Sequence, residues 1–392
     1  MRINVIFRSF SGLENSFRKK NWEPVGSPVL INFIKYLDKT DKLQILLVGE
    51  NTKNKFLVRE FSFKNLRSKI IFINKKYFNH KIIIGKIFNN LITFILILYK
   101  SILFKPQAHY VDNQNMIFGA IFTIFHKNVN LRLLGSWGVT FELKRKNFFS
   151  KIRKYFYGFN FKSIICTDDG SNFKYVLKSN LFSKKTKIFH LLNGCEFIKF
   201  KNYLTRSSKK KLKILHYGRF DIDKGIDLFL LSIKKTLEEN KNMIFTLIGY
   251  GKYYNEVKNF IKINKLTKNV KLHYKLNYKE IEKHLNNTDL YISSNLIGAL
   301  SNSNLEAIGY GIPAIFVNTK DKKNFTLKKK IKKNFFYYSE INFVNNLKKL
   351  ILRYEKNRNL LKKNSLILKS QFKKILINWK SRIEIERKIL SK

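Results

Sequence analysis

Short apolar runs alternate with longer helical patterns from one end of this chain to the other, and that rhythm limits the possible folds more than any other feature. INVIF, LQILLV, IIFIN, AHYVD, LRLLG, SIICT and TKIFHLLN read as strands in the first half, and KILHYGR, FTLIG, VKLHY, LYISS and PAIFV in the second. Helical segments intervene at 28–38, 115–126, 171–179, 225–238, 254–265 and 278–286. Alternation of this kind predicts an α/β chain of doubly wound parallel sheets with helices on both faces. Ligands of such sheets sit at the carboxyl ends of the strands. At 392 residues the chain exceeds one ordinary core, so two domains are expected. The boundary falls at 196–212, where EFIKFKNYLTRSSKKKLK turns polar and basic before a fresh strand at Lys213. A second basic stretch, 320–334, reads as an exposed loop and helix face. The last segment, 365–392, is helical in pattern, with Phe372, Ile375, Trp379 and Ile383 at spacings of three and four.

Charge comes next. Lys and Arg number 78 against 26 Asp and Glu, a formal +52. Such an excess fits nucleic acid, through counterion release, or an anionic membrane face. It also fits a composition rich in Lys, Asn, Ile and Phe throughout. The lysines are scattered rather than gathered into one stripe, which argues against a specific nucleic-acid partner. Cys166 and Cys195 are the only cysteines, too few for a disulfide framework and suited to a reducing compartment. MRINVIFRSF is too polar and too short for a signal peptide. Residues 81–105, KIIIGKIFNNLITFILILYKSILFK, hold an uninterrupted apolar run only from Leu91 to Tyr99, short of the ~20 residues a spanning helix needs. A buried helix is expected there, with a membrane-surface helix as the alternative.

The chemistry concentrates in the second half. Gly218-Arg219-Phe220 follows the strand KILHY, and Lys224-Gly225 opens a helix. A strand–turn–helix junction offers backbone N–H groups to an anion, Arg219 adds a planar fork, and Lys224 a point charge. That set suits the diphosphate of a departing nucleotide; in so basic a chain, Lys224 alone carries no weight. Gly249-Tyr250-Gly251 lets backbone approach a ligand, or is an ordinary turn. The loop from Gly298 through Ser301, Asn302 and Ser303 enters a helix carrying Leu305 and Glu306. The serines cap the helix while its amides face phosphate, and Glu306 accepts from ribose hydroxyls. Alternatively Ser303-x-x-Glu306 is a local capping box. Upstream, Gly26 and Ser27 precede a helix starting at Pro28, and Gly135-Ser136-Trp137-Gly138 follows a strand; either loop suits substrate contact or a plain helix start. The seven His show no metal-ligand spacing, and no serine-nucleophile elbow occurs.

Together GRFDIDKG, LIGYG, NVKLHYKLNYKEIEKHLNNTDLYISSN and LSNSNLEAIGYGIPAI resemble the retaining glycosyltransferases of family four, the glycosyl transferases group 1, with the GT-B fold. LLNGCE at 191–196 is similar to the turn that closes the first domain of that family, and NWKSRIEIE to the helix that crosses back onto it. The resemblance implies two Rossmann-like domains with an interdomain cleft: an acceptor-binding domain at 1–200, a nucleotide-sugar domain at 208–372, and a C-terminal helix, 373–392, packed on the first. It implies that Arg219 and Lys224 bind the donor diphosphate, that Glu306 binds ribose, and that Gly218, Gly251, Ser301, Asn302, Ser303 and Leu305 line the donor site. Gly26, Ser27, Gly135 and Ser136 fall on the acceptor side. It also implies transfer with retention, without a metal or separate cofactor, from a UDP- or GDP-linked sugar to a saccharide or lipid-linked saccharide. The setting would be bacterial surface polysaccharide or lipopolysaccharide synthesis, in the cytoplasm on the inner membrane face. Two positions depart from the pattern. Gly298 stands where the family has its first motif Glu, and Leu134 where it has a His before Gly135. A catalytically degenerate scaffold and a basic nucleic-acid binder remain the competing readings.

Overall fold

A computed structural model of the chain describes residues 1–10, 13–24, 26–50, 56–76, 78, 83–171, 173–202, 211–298, 300–318, 336–338 and 342–392. Two compact units emerge. The first comprises Met1–Asp168, Phe173–Gly194 and Trp379–Lys392, and the second Asp169–Asn172 and Cys195–Asn378. The basic stretch 320–334 and most of the polar boundary, 203–210, lie outside the described residues.

The first unit is built on eight strands, β1 (Arg2–Arg8), β2 (Lys42–Gly49), β3 (Val58–Phe61), β4 (Ile70–Asn74), β5 (Ala108–Asp112), β6 (Val129–Leu133), β7 (Ser163–Thr167) and β8 (Lys187–Leu191). Their order is β3-β4-β2-β1-β5-β6-β7-β8, parallel except for β3 against β4. Helices α1 (Leu13–Lys19), α2 (Pro28–Leu37), α3 (Ile83–Phe104), α4 (Met116–Phe125), α5 (Trp137–Lys144), α6 (Phe148–Tyr157) and α7 (Phe173–Lys178) connect them. Inner strands such as β1, β4, β5 and β6 are buried on both faces, which is why they read as unbroken apolar runs. Odd and even residues of β1 feed opposite cores: Ile3, Val5 and Phe7 pack with α2, and Ile6 packs with α3 and α4.

The second unit holds β9 (Leu212–Arg219), β10 (Met243–Tyr250), β11 (Val270–Tyr274), β12 (Leu290–Ser293), β13 (Ala314–Asn318) and β14 (Phe336–Tyr338), all parallel, in the order β11-β10-β9-β12-β13-β14. Its helices are α8 (Ile226–Glu239), α9 (Tyr254–Ile263), α10 (Tyr278–Asn286), α11 (Asn302–Tyr310), α12 (Phe343–Lys356) and α13 (Asn359–Phe372). The chain winds outward from β9 through β10 to β11, then returns to place β12 on the other side of β9. The strand order therefore reverses between β9 and β12, and the carboxyl ends of those strands are where sheets of this kind bind ligands.

The final helix, α14 (Trp379–Ser391), belongs to the first unit. Trp379 and Ile383 join the core around α2, and Arg387 makes two hydrogen bonds to Asp41, 2.7 and 3.0 Å. Buried Glu386 accepts from the Tyr110 hydroxyl at 2.5 Å and pairs with Arg382 at 2.8 Å. The sequence pattern ran one helix through 365–392, but the structure breaks it. α13 stops at Phe372, and Ile375 sits in a turn. The backbone at 377–378 instead pairs with Cys195, whose N–H donates to Ile377 O at 2.9 Å and which forms a parallel bridge with Asn378. A second correction concerns α3. It crosses from β4 to β5 as expected of a core helix, yet its outer face is solvent-exposed rather than buried.

Candidate functional site

β9 delivers Arg219 to the switch point. Its end is paired with that of β10, Gly218 opposite Gly249 and Arg219 opposite Tyr250. Fully buried Phe220 then anchors the turn, its N–H bonded to Tyr250 O at 2.8 Å and its ring stacked on Tyr254. With Phe220 pinned inward, Arg219 is left about half exposed (52%), its guanidinium 3.2 Å from Asp221. One 3-10 turn, Ile222–Lys224, leads to Gly225 and α8. Gly225 has φ 62°, and a Cβ there would lie 2.6 Å from Ser294 O, so only glycine fits. Lys224 is less exposed (19%), with its ammonium 3.4 Å from Asp223. Ser294 Oγ donates to Lys224 O at 2.6 Å, and Leu296 N–H to Asp223 O at 3.2 Å. These bonds fasten the loop after β9 to the loop after β12.

α11 starts at the same end of the sheet. Ser301 is its N-cap, and its first intrahelical bond runs from Leu305 N–H to Ser301 O at 3.0 Å. A helix start at a switch point is where backbone N–H groups meet an anion. The capping box expected from Ser303-x-x-Glu306 does not form: the cap falls two residues earlier, and the Glu306 carboxylate turns inward to accept from the Tyr217 hydroxyl at 2.7 Å. Glu306 is only 5% exposed. Burial pushes its pKa up to about 7, the Tyr217 hydroxyl works against that rise, and Glu196 adds to it. The Tyr217 hydroxyl is itself driven upward by burial and then by Glu306. Tyr291 packs edge-on to Tyr217 and donates to Asn304 Oδ1 at 2.8 Å, so the carboxylate rests on an ordered aromatic floor.

The residues singled out in the sequence fall into two sets. Gly218, Arg219, Lys224, Gly251, Ser301, Asn302, Ser303, Leu305 and Glu306 gather around the switch point of the second unit. Ser303 Oγ lies 3.9 Å from where a side chain on Gly218 would begin, and a side chain on Gly251 would start 2.7 Å from Phe220 O. Leu305 is fully buried, so its side chain packs in the core rather than facing a ligand. Gly26, Ser27, Gly135 and Ser136 belong to the first unit, each just before a helix. Ser27 and Ser136 are N-cap residues of α2 and α5 without side-chain cap bonds. Gly298 has φ 73°, and a Cβ there would meet Asp169 O at 2.7 Å, an oxygen that accepts from Leu300 N–H at 3.0 Å. No carboxylate side chain fits this loop conformation at position 298. Sequence reasoning missed Tyr217, Asp221 and Asp223. The two acids lie within GRFDIDKG beside their cations, a legible signal; the Tyr217–Glu306 bond spans 89 residues and leaves none.

Chemically, a guanidinium, an ammonium and a helix start converge at one end of a parallel sheet, with a buried carboxylate behind them. The set can bind a polyanion such as a diphosphate and accept hydrogen bonds from neighbouring hydroxyls.

Residues 199–365 match the family described as Glycosyl transferases group 1. Solved structures of similar fold include sucrose-phosphate synthase from Thermosynechococcus elongatus (13% identity, 100% of this chain and 99% of that one, TM-score 0.67). They also include a trehalose-6-phosphate synthase (9%, 100% and 99%, 0.68) and Anabaena HepE in complex with UDP and glucose (12%, 100% and 99%, 0.67). At such identities they speak for the fold alone. No curated protein matches the chain by sequence. The stretch that matches the glycosyl transferases group 1 family, residues 199–365, is the one that builds the switch-point site, and the chain as a whole has a GT-B fold of two Rossmann-like units.

Proposed function

We propose that this chain transfers a sugar from a nucleoside-diphosphate sugar to a saccharide or lipid-linked saccharide with retention at the anomeric carbon. The reaction would serve bacterial surface polysaccharide or lipopolysaccharide assembly on the cytoplasmic face of the membrane. The observation that carries this is the convergence of Arg219, Lys224 and buried Glu306 at the β9/β12 switch point.

Asp221 and Asp223 lie beside the two cations, at 3.2 and 3.4 Å. Diphosphate oxygens replace those carboxylates, gaining a bidentate partner in Arg219 and a point charge in Lys224. As the bond from the anomeric carbon to the diphosphate oxygen breaks, charge develops on the leaving group. The two cations and the amides at the start of α11 stabilise it there, in the role a divalent ion plays elsewhere. The acceptor hydroxyl forms the new bond on the same face and gives its proton to a diphosphate oxygen. Glu306 orients the nucleoside through its ribose hydroxyls. UDP is the first nucleotide to try, because solved structures of this fold hold UDP with glucose and UDP-2-fluoro glucose.

Gly298 favours a second reading, a scaffold without turnover, since its loop leaves no room for a carboxylate. Isothermal titration with UDP- and GDP-sugars, followed by a turnover assay on the active donor, separates the two. Arg219→Ala should lower turnover at least ~100-fold, about 3 kcal/mol of transition-state stabilisation. Donor binding without turnover would support the scaffold. Failure to bind or turn over any of these nucleotide sugars would refute the transferase reading.

A further inference from the structure

α3 is inside out. Its inward stripe, at steps of four residues, is Asn89, Thr93, Ile97 and Ser101, all 5% exposed or less and three of them polar. Each polar side chain is satisfied within the first unit. Asn89 exchanges two hydrogen bonds with the Phe78 backbone (2.9 and 3.0 Å). Thr93 donates to Asn89 O (2.6 Å), and Ser101 donates to Ile97 O (2.6 Å) while accepting from Asn4 Nδ2 (2.7 Å). The outward stripe carries Ile84, Ile87, Leu91, Ile95, Tyr99 and Ile102, each between 50% and 64% exposed. At 1.5 Å per residue it runs about 27 Å. A helix facing water places its residues the other way round.

The apolar surface continues sideways. Phe94 of α3 packs on Phe118 and Phe122 of α4, and α4 ends in exposed Ile124 and Phe125. α6 packs beside α4 and opens with Phe148 and Phe149, exposed by 71% and 75%, just after Lys144-Arg145-Lys146. Residues 83–160 contain eleven Lys and Arg, of which Arg132 is fully buried and Lys100 pairs with Glu60 at 3.6 Å, against two acids. Of those acids, Asp112 is buried and Glu142 lies 3.5 Å from Arg153. Exposed Lys105 and Lys127 follow the C-termini of α3 and α4. The surface thus joins an apolar stripe to a cationic surround.

We infer that α3, with the exposed ends of α4 and α6, is the face by which the first unit lies on an anionic lipid bilayer. Apolar side chains between lysines match acyl chains beneath acidic headgroups. A second copy is a poorer occupant, because pairing two such faces would bring like charges together. Although α3 holds an 18-residue stretch long and apolar enough to cross a membrane, its inner stripe packs against the sheet. It therefore lies in the membrane surface rather than spanning it. This deepens the membrane-side part of the proposed function but uses none of the donor-site residues.

The test is flotation of the purified full chain with phosphatidylcholine vesicles, with and without phosphatidylglycerol. The wild type should float with the anionic vesicles only. The double variant Leu91→Glu/Ile95→Glu should bind them at least about tenfold more weakly, with circular dichroism and melting temperature unchanged. A charge-matched control, Lys268→Gln/Lys279→Gln on the second unit, changes net charge equally and should bind like wild type. The inference is overturned if the wild type does not float, if the control loses as much binding as the α3 variant, or if sedimentation shows a dimer that the α3 variant dissolves. Nucleotide-sugar titration of the same samples reports separately on the donor site.

Discussion

Glu306→Gln should make the protein more stable at alkaline pH while weakening its grip on nucleotide. The folded chain holds this carboxyl at about 7, against an ordinary value of 4.5. Between those values the folded state keeps a proton that the unfolded chain has released. Stability from this group therefore falls as pH rises from about 4.5 and levels off above about 7. A difference of about 2.5 units at 1.36 kcal/mol each is about 3 kcal/mol, of which about 2.5 kcal/mol appears between pH 5 and 8. Gln at 306 is neutral throughout, and its amide oxygen still accepts from Tyr217. The variant should gain about 2.5 kcal/mol relative to wild type on going from pH 5 to 8. Urea unfolding at both pH values measures it, and other titrating groups cancel in the difference of differences. Trp22, Trp137 and Trp379 all lie in the first unit, so their fluorescence does not see the second. Hydrogen exchange of the α11 peptides is the readout to use. Parallel pH dependence in the two proteins would refute this electrostatic account of the site. If stability rises but nucleotide affinity does not fall, the stability argument survives and the ribose role of Glu306 does not.

Two further perturbations probe the cationic loop. Asp221→Asn removes the carboxylate that occupies Arg219, an exposed pair worth about 0.2–1 kcal/mol, so UDP affinity by calorimetry should rise up to about fivefold; a drop would make Asp221 a group that positions Arg219 for binding. Gly225→Ala places a Cβ 2.6 Å from Ser294 O at φ 62°, and should cost more than about 1 kcal/mol in a thermal melt while loosening the loop that presents Lys224; unchanged melting and UDP affinity would mean that the loop is not fastened as described.

The sequence revealed the sheet but not which way its elements face, and the exceptions have physical causes. Buried parallel strands announce themselves as continuous apolar runs. β3, VREF, escapes notice because it is a short antiparallel edge strand with two exposed residues at its centre. Helical period places Asn89, Thr93 and Ser101 on one face of α3, and ordinary amphipathic reasoning would turn that face to water. Bonds to the Phe78 backbone and to Asn4 turn it inward instead, and neither partner is predictable from local pattern.

The donor-side site divides along the same line. Its cations sit in one short stretch, GRFDIDKG, and the strand–turn–helix geometry around them follows from composition. The state of Glu306 does not, because local spacing offered it a capping role. It is bound instead by a tyrosine that reaches it only when β9 and β12 lie side by side. That arrangement puts an ionisable group where desolvation opposes its charge, a cost that packing alone would have avoided with an apolar residue. The position therefore gives up stability to keep a buried carboxylate beside the Tyr217 hydroxyl. The loop at Gly298 likewise leaves no room for a side chain of its own, and the carboxylate nearest that position is that of Asp169, whose carboxyl carbon lies 3.7 Å from where a side chain would begin.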